Sequence, residues 1–285
     1  MMEIHTESLR LIVFLSGLAA FFLIEGIVQA RPWHDSRARR LSLHILVAAL
    51  NSAILRLTVA APLLYLSDFV SRHEWGLVSI LGISGLPEIL LTVFVLDMGD
   101  YWWHRANHRV PLFWRFHQVH HVDTHVDVTT SLRFHPGELL ISGLVKASWI
   151  VLWGPSALGF AIFEALVTLS SQYHHSNIDF DDRVEEVVRS FTVTPRMHAS
   201  HHSAETRSLD ANFSTIFSFW DRIFGTYVKP TPEHLRLQGL PYGRGRELEL
   251  RQWISLPFRR RPEAGNGGED GESRNAPVET GRLEA

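Results

Sequence analysis

The chain has 285 residues, no Cys and 17 His, with 20% charged residues, a net charge of −3 and a mean hydropathy just above zero. The lack of thiols excludes disulfide scaffolds, thiolate nucleophiles, zinc ribbons and iron–sulfur clusters, so any metal or redox chemistry runs on nitrogen and oxygen ligands. A near-neutral charge balance without a basic face excludes nucleic acid as a partner.

Crossing a hydrocarbon core of about 30 Å takes about 20 apolar residues. Three stretches reach that length, 11–30, 43–67 and 75–96, and each holds a single charge, Glu25, Arg56 and Glu88 in turn. No small-residue cleavage site follows the first, which reads as a retained anchor. The three charges are expected to pair inside the helix bundle, because an isolated charge in hydrocarbon is costly. A fourth apolar stretch, 139–170, is interrupted at Gly154-Pro155. Proline there removes a helix hydrogen bond, so the stretch reads as a two-helix hairpin that returns the chain to the side it left.

Arg31, Arg37, Arg39 and Arg40 fall between the first two stretches, whereas 68–74 holds Arg72 alone. Short cytoplasmic loops collect such residues, so the first connection is expected inside and everything from Asp97 onward in the cytoplasm. A continuous helix from Leu77 to Trp103 would be roughly 40 Å long, setting the histidines that follow near the lipid headgroups. Residues 259–285 are rich in Arg, Glu, Gly, Asn and Pro and read as a disordered tail. The expected fold is all-α, a multi-pass membrane helical bundle over 1–258 with a cytoplasmic histidine-rich cap formed by 97–136 and 171–227.

Twelve of the 17 His lie between His104 and His202. They run His104-Arg-Ala-Asn-His108, His117-Gln-Val-His120-His121, His125, His135, His174-His175 and His198-Ala-Ser-His201-His202. Helical positions i, i+3 and i+4 share a face, so each box forms a fan of imidazoles. Thr194-Pro195 supplies an N-cap and a first-turn proline for the third box, and Pro111 does the same for the second. Eight imidazoles on three one-sided fans would leave donors and acceptors unsatisfied, or repel one another if protonated, unless metal occupies them. That number fits two ions with open positions for oxygen or water. Imidazole suits Zn, Cu, Fe and Ni alike, and the membrane setting favours iron, since oxidising an unactivated lipid C–H bond needs a cofactor.

These motifs, with Asp127 to His135-Pro136, His175-Ser-Asn177, and Asn212-Phe to Trp220-Asp-Arg-Ile-Phe-Gly-Thr-Tyr227, resemble the fatty acid hydroxylase / sterol desaturase superfamily over roughly Leu77 to Tyr227. The resemblance implies a membrane-embedded, non-haem di-iron oxygenase acting on lipid with O2 as co-substrate. Its metal ligands would be His104, His108, His117, His120, His121, His135, His175, His198, His201 and His202, with His125 and His174 as neighbours. Ser214 stands where family members commonly have Gly.

Asp100 lies one turn before His104 and is a candidate acceptor for the second nitrogen of a ligand histidine, or else a hydrated carboxylate at the membrane surface. Asn177 is a candidate to orient a metal-bound water, or else a turn former. Pro136 and Glu138 fit the first turn of the hairpin helix. The apolar residues from Ile216 to Phe224 are expected to pack on the metal helices or the headgroup layer.

Together these readings describe an O2-dependent hydroxylase or desaturase of a sterol or fatty acyl chain, with its site facing the cytoplasm, in a bacterial inner membrane rather than the endoplasmic reticulum. No dinucleotide fingerprint, haem domain or Cys cluster is visible, so electrons come from a separate donor protein. The alternatives are a zinc-dependent membrane lipid hydrolase using metal-bound hydroxide, and a metal carrier or sensor.

Overall fold

The computed structural model describes residues 2–33 and 36–259; the expected tail lies, but for Arg259, outside them. The described residues are all-α, with isolated backbone bridges such as Gln29 with Ile178 but no extended strand. Helix α1, Met2–Ile27, contains the one helix among the described residues that is long and apolar enough to cross a bilayer by itself, Leu9–Ile27.

Helix α2, Arg37–Leu55, passes through a wide π-type turn at Arg56–Ala60 into α3, Ala61–Arg72. The unbroken span expected over 43–67 is therefore kinked: Arg37–Ile54 and Thr58–Ile80 reach spanning length only as a pair bent by 53°. Pro62 sits in the first turn of α3, lacks an N–H, and collides with the carbonyl four residues earlier, which opens the helix ladder at that point.

The third expected span is likewise corrected. Instead of one helix from Leu77 to Trp103, a single turn, α4, Leu77–Ile80, is followed by α5, Gly85–Arg109. Gly82 and Gly85 adopt positive φ values of 64° and 65° between them, a backbone state open to glycine at little cost. Helix α5 still runs to about 37 Å and carries the first histidine pair on its last two turns.

The hairpin forms as expected. Helix α7, Pro136–Trp153, ends at Gly154 with φ 77°, and α8, Ala157–His175, begins after Ser156, whose hydroxyl accepts from the Gly159 N–H. Glu88 holds the hairpin tip by accepting from the Ser156 N–H at 2.9 Å and the Ser156 hydroxyl at 2.7 Å. Glu25 is also paired, with Arg37 at 3.3 Å and with the N–H groups of Val128 and Asn177 at 3.0 and 2.9 Å. The side chain of Arg56 lies outside the described residues.

Helix α8 is central and packs on α1, α3, α5 and the short helix Pro195–His201. Leu63, Val70, Leu96, Ile150, Phe160 and Phe163 form the main core between them, each burial contributing roughly 1.5–3 kcal/mol. The outer faces are apolar too: Leu15, Leu23, Leu50, Leu90, Leu144 and Leu158 are exposed. Ordinary water-facing surfaces rarely gather this much apolar area.

Among the elements that pack over one end of the bundle are α6, Pro111–His121; α9, Asp182–Phe191; and α10, Pro195–His201. A buried clamp fastens this cap to α2. Arg40 reaches Asp123 at 2.8 and 3.0 Å and Asp127 at 2.5 Å, while His44 Nδ1 meets the Thr129 hydroxyl at 2.6 Å.

Candidate metal centre

Four helix ends present the histidines. Helix α5 delivers His104 and His108 from its last turns. Pro111 starts α6, which carries His117, His120 and His121. Helix α8 ends on His174 and His175. Thr194 caps α10, accepting from the Met197 N–H at 3.2 Å, with Pro195 in the first turn, so His198, His201 and His202 follow as a helical fan.

The fans meet, and they sort into two groups. His104, His108, His117, His121 and His201 gather donor nitrogens within 4.8 Å of one another, and His120, His175, His198 and His202 do the same beside them. Each HxxHH box is divided: α6 gives His117 and His121 to the first group and His120 to the second, while α10 gives His201 to the first and His198 and His202 to the second. The His121 and His202 rings stack at 4.3 Å between the groups.

Hydrogen bonds fix which nitrogen faces inward. The Nδ1–H of His104 donates to the Phe213 carbonyl at 2.8 Å, that of His201 to the Ala211 carbonyl at 2.6 Å, and that of His175 to the Ser171 carbonyl at 2.6 Å. His117 Nδ1 donates to a Glu138 carboxylate oxygen at 2.8 Å. A neutral imidazole has one N–H, so the Nε2 of each of these rings is a bare lone pair. The inward nitrogens are crowded: His117 to His121 is 3.1 Å, His175 to His120 and to His198 2.9 Å, and His198 to His202 3.2 Å.

Burial, then the neighbouring imidazoles, holds the rings in the neutral form. It pushes His104 down to about 3 and holds His108, His120, His121, His198, His201 and His202 well below the usual imidazole range. Burial likewise pushes His175 down to about 4. Both nitrogens of His108, His201 Nε2 and the Nδ1 atoms of His120, His121, His198 and His202 have no hydrogen-bond partner, each orphan costing about 1–3 kcal/mol if nothing answers it. Neutral rings whose Nε2 atoms converge, with both nitrogens of His108 and the Nε2 of His201 partnerless, are what a pair of cations requires of its ligands, and the donor set fits two metal ions.

His135, the tenth ligand expected, stays apart from both groups. Pro136 fixes the start of α7, leaving His135 as its N-cap, with Nδ1 accepting from the Gly137 N–H at 3.0 Å and the ring beside Phe116 and Trp253. Asp100 makes no hydrogen bond to a histidine; His104 Nδ1 is already engaged by Phe213. Asn177 faces the α1–α2 connection, where its side chain bonds the Arg31 N–H at 3.1 Å and the Arg31 carbonyl at 2.9 Å, and so orients backbone, not a ligand. His174 is a buried neighbour whose ring lies 4.1 Å from that of His198.

Several supports were not legible as such. Glu138 was read as a first-turn residue, and it also orients His117; its acidic character beside the second box was the available signal. The carbonyls of Ala211 and Phe213 flank Asn212, whose φ of 58° turns the chain, and Asp221 accepts from the N–H groups of Phe213 and Ser214 at 2.8 and 3.0 Å. A cavity of about 210 Å³ opens against the site; its lining includes His104, His117, His120, His175 and His198 together with Asp100, Glu138, Ser142 and Lys146.

The fatty acid hydroxylase family model matches residues 89–226, the stretch that carries all nine gathered histidines. The chain carries a fatty acid hydroxylase domain. Over 133 residues it is 31% identical to an alkylglycerol monooxygenase of Danio rerio, covering 47% of this chain and 29% of that protein. It is 26% identical over 224 residues to a human lathosterol oxidase, covering 76% of this chain and 71% of that protein. It is 25% identical over 173 residues to an ornithine lipid hydroxylase of Rhizobium tropici, covering 61% of this chain and 49% of that protein. The chain thus spans less than a third of the alkylglycerol monooxygenase it matches. No solved structure matches this chain.

Proposed function

We propose that this protein is a membrane-bound oxidoreductase that hydroxylates or desaturates a lipid with O2, holding two iron ions with the nine gathered histidines. The observation that carries this reading is the reciprocal division of the two HxxHH boxes into adjoining nitrogen groups, both lined up against a cavity at the end of helices with exposed apolar faces. Bound there, a redox-active metal pair would supply the activation of oxygen that side chains lack. The chain's own residues hold the rings neutral, fix their tautomers through Glu138, Phe213, Ala211 and Ser171, and keep the site dry beneath the cap. The exposed apolar faces of α1, α2, α5 and the hairpin support a multi-pass arrangement, with the cap and its arginine-rich first connection in the cytoplasm. Among sources, a bacterial inner membrane is favoured over the endoplasmic reticulum, and electrons arrive from a separate protein.

Relatives named as monooxygenase, oxidase and hydroxylase support the lipid oxidation chemistry. Both nitrogen groups lack a carboxylate, which weighs against a hydrolytic zinc site, and the ligands cluster at one end of the bundle instead of along a path, which weighs against a metal carrier. The test is metal analysis of the purified full chain together with lipid profiling of cells with and without the gene. Two iron per chain and an oxygen-dependent lipid that gains one oxygen atom or loses two hydrogens is the expected result. Two zinc per chain with oxygen-independent turnover would reject it.

A further inference from the structure

Lys146 and Glu164 lie within the two helices of the hairpin, in the stretch that reads as apolar. The Lys146 ammonium donates to Glu164 at 2.8 Å, and Arg10 from α1 meets the other Glu164 oxygen at 3.0 Å. Both side chains of the Lys146–Glu164 pair are 17% exposed, and Lys146 contributes to the wall of the same cavity that the histidines line. Ionisable groups at this depth are costly and mark a functional site by default. Lys146 has three N–H donors, of which Glu164 takes one.

Asp100 completes the wall. Its carboxylate makes no hydrogen bond with any described residue, yet it lines the cavity together with Lys146, whose opposite charge acts on it. Ser142, which lines the same cavity, likewise makes no side-chain hydrogen bond with any described residue. In the wall Asp100 and Lys146 carry opposite charges, and Glu138, its other carboxylate, is engaged by His117, while Arg10 offsets Glu164 behind Lys146, so a cation or an anion would meet a compensated set of charges and gain little in return for its lost hydration. A neutral group that both donates and accepts is matched: its proton goes to Asp100 and its oxygen receives from Lys146 or Ser142. Asp100 precedes His104 by one helical turn, about 6 Å along the axis.

We propose that Asp100 and Lys146 are the specificity-determining polar groups of the substrate cavity, selecting a lipid that carries a hydroxyl group near the C–H bond brought to the histidine groups. This rests on the lipid-oxidation reading for the C–H bond, while the hydroxyl contact stands on the cavity wall itself. Asp100 on this account touches substrate, in place of the ligand-orienting role the sequence suggested for it.

The experiment measures equilibrium binding of three single-chain probes to the purified, metal-loaded full chain in mixed micelles without oxygen, so that no turnover occurs. The probes are hexadecan-1-ol, its methyl ether, which accepts but cannot donate, and hexadecylamine, which is cationic. The intact chain is expected to favour the alcohol over the ether by about 10-fold or more, since a hydrogen bond to a charged group is worth about 1.5–3 kcal/mol. Asp100→Leu should erase that preference, and Asp100→Asn, which keeps an acceptor in the same shape, should retain part of it. Lys146→Met removes a donor that both oxygens use, so it should weaken alcohol and ether alike and leave their ratio in place; Arg10 remains to pair Glu164. Equal binding of alcohol and ether by the intact chain, a preference for the amine, or an unchanged ratio in both Asp100 variants would overturn the proposal. Failure to find an oxygen-dependent product would strike the lipid-oxidation reading alone, because the alcohol-to-ether ratio is read without turnover.

Discussion

Glu138 offers a direct measure of how far the chain around the histidines sets metal affinity. Its carboxylate oxygen lies 2.8 Å from His117 Nδ1, and the two side chains are 5% and 3% exposed, so water competes little for either. The carboxylate fixes the ring so that the Nε2 lone pair faces the first group, and its charge makes that lone pair more basic. Glu138→Gln keeps the size and one acceptor oxygen but removes the charge, whereas Glu138→Ala removes both. Such outer partners are typically worth about 10–100-fold in metal affinity, about 1.4–2.7 kcal/mol. The glutamine variant is expected near the lower value and the alanine variant near the upper. Competition with a chelator of known affinity, with metal counted per chain, measures both. The loss should fall on one of the two ions, the one held with His117. Unchanged affinity in Glu138→Ala, while His117→Ala loses an ion, would refute the reasoning by showing that the ring is oriented without its carboxylate.

Further expectations concern the division of the site and its setting. His201→Ala and His120→Ala should each lower metal content toward one ion per chain while abolishing product, because they belong to different nitrogen groups; loss of both ions together in each variant would argue for a single shared group. Arg40→Leu should destabilise the protein by about 3–5 kcal/mol, since it leaves Asp123 and Asp127 buried without their partner, and a thermal melt in detergent measures it. Removing metal should make stability depend on pH. His104 and His175 are held down to about 3 and about 4 in the folded protein, so below about 6.5 the unfolded chain binds more protons. Stability of the stripped protein should therefore be full above that value and fall as pH drops toward 4. A flat melting temperature across that window would contradict the neutral, buried state of these rings.

Much of this arrangement was readable. Spacing alone put His104 with His108 and placed three imidazoles on one side of α6 and of α10. At about 100° per residue, His117 and His121 lie close in angle while His120 sits at the margin of its fan, which is the split the structure contains. What spacing cannot give is the partner of each ring, because the carbonyls of Phe213, Ala211 and Ser171 are backbone groups that any residue supplies. His135 was placed by its motif, yet the proline after it determines its role as a cap. The long third span was drawn from composition over 75–96; Gly82 and Gly85 were present in the sequence but were outweighed by the apolar run around them. Lys146 and Glu164 escaped notice for a related reason, since one residue on each arm of a hairpin reveals a pair only after the arms are folded together.

The reciprocal division of α6 and α10 ties the two halves of the centre to one framework. Any shift of α6 that widens the pocket around His117 and His121 also moves His120, and any shift of α10 that carries His201 also carries His198 and His202. Filling one half thus immobilises both helices, and the second ion meets rings whose ordering has already been achieved, which makes its uptake tighter. Loading of the intact chain should be steep, with half-filled protein scarce during titration, and a ligand lost from one group should leave the other ion bound but more weakly held.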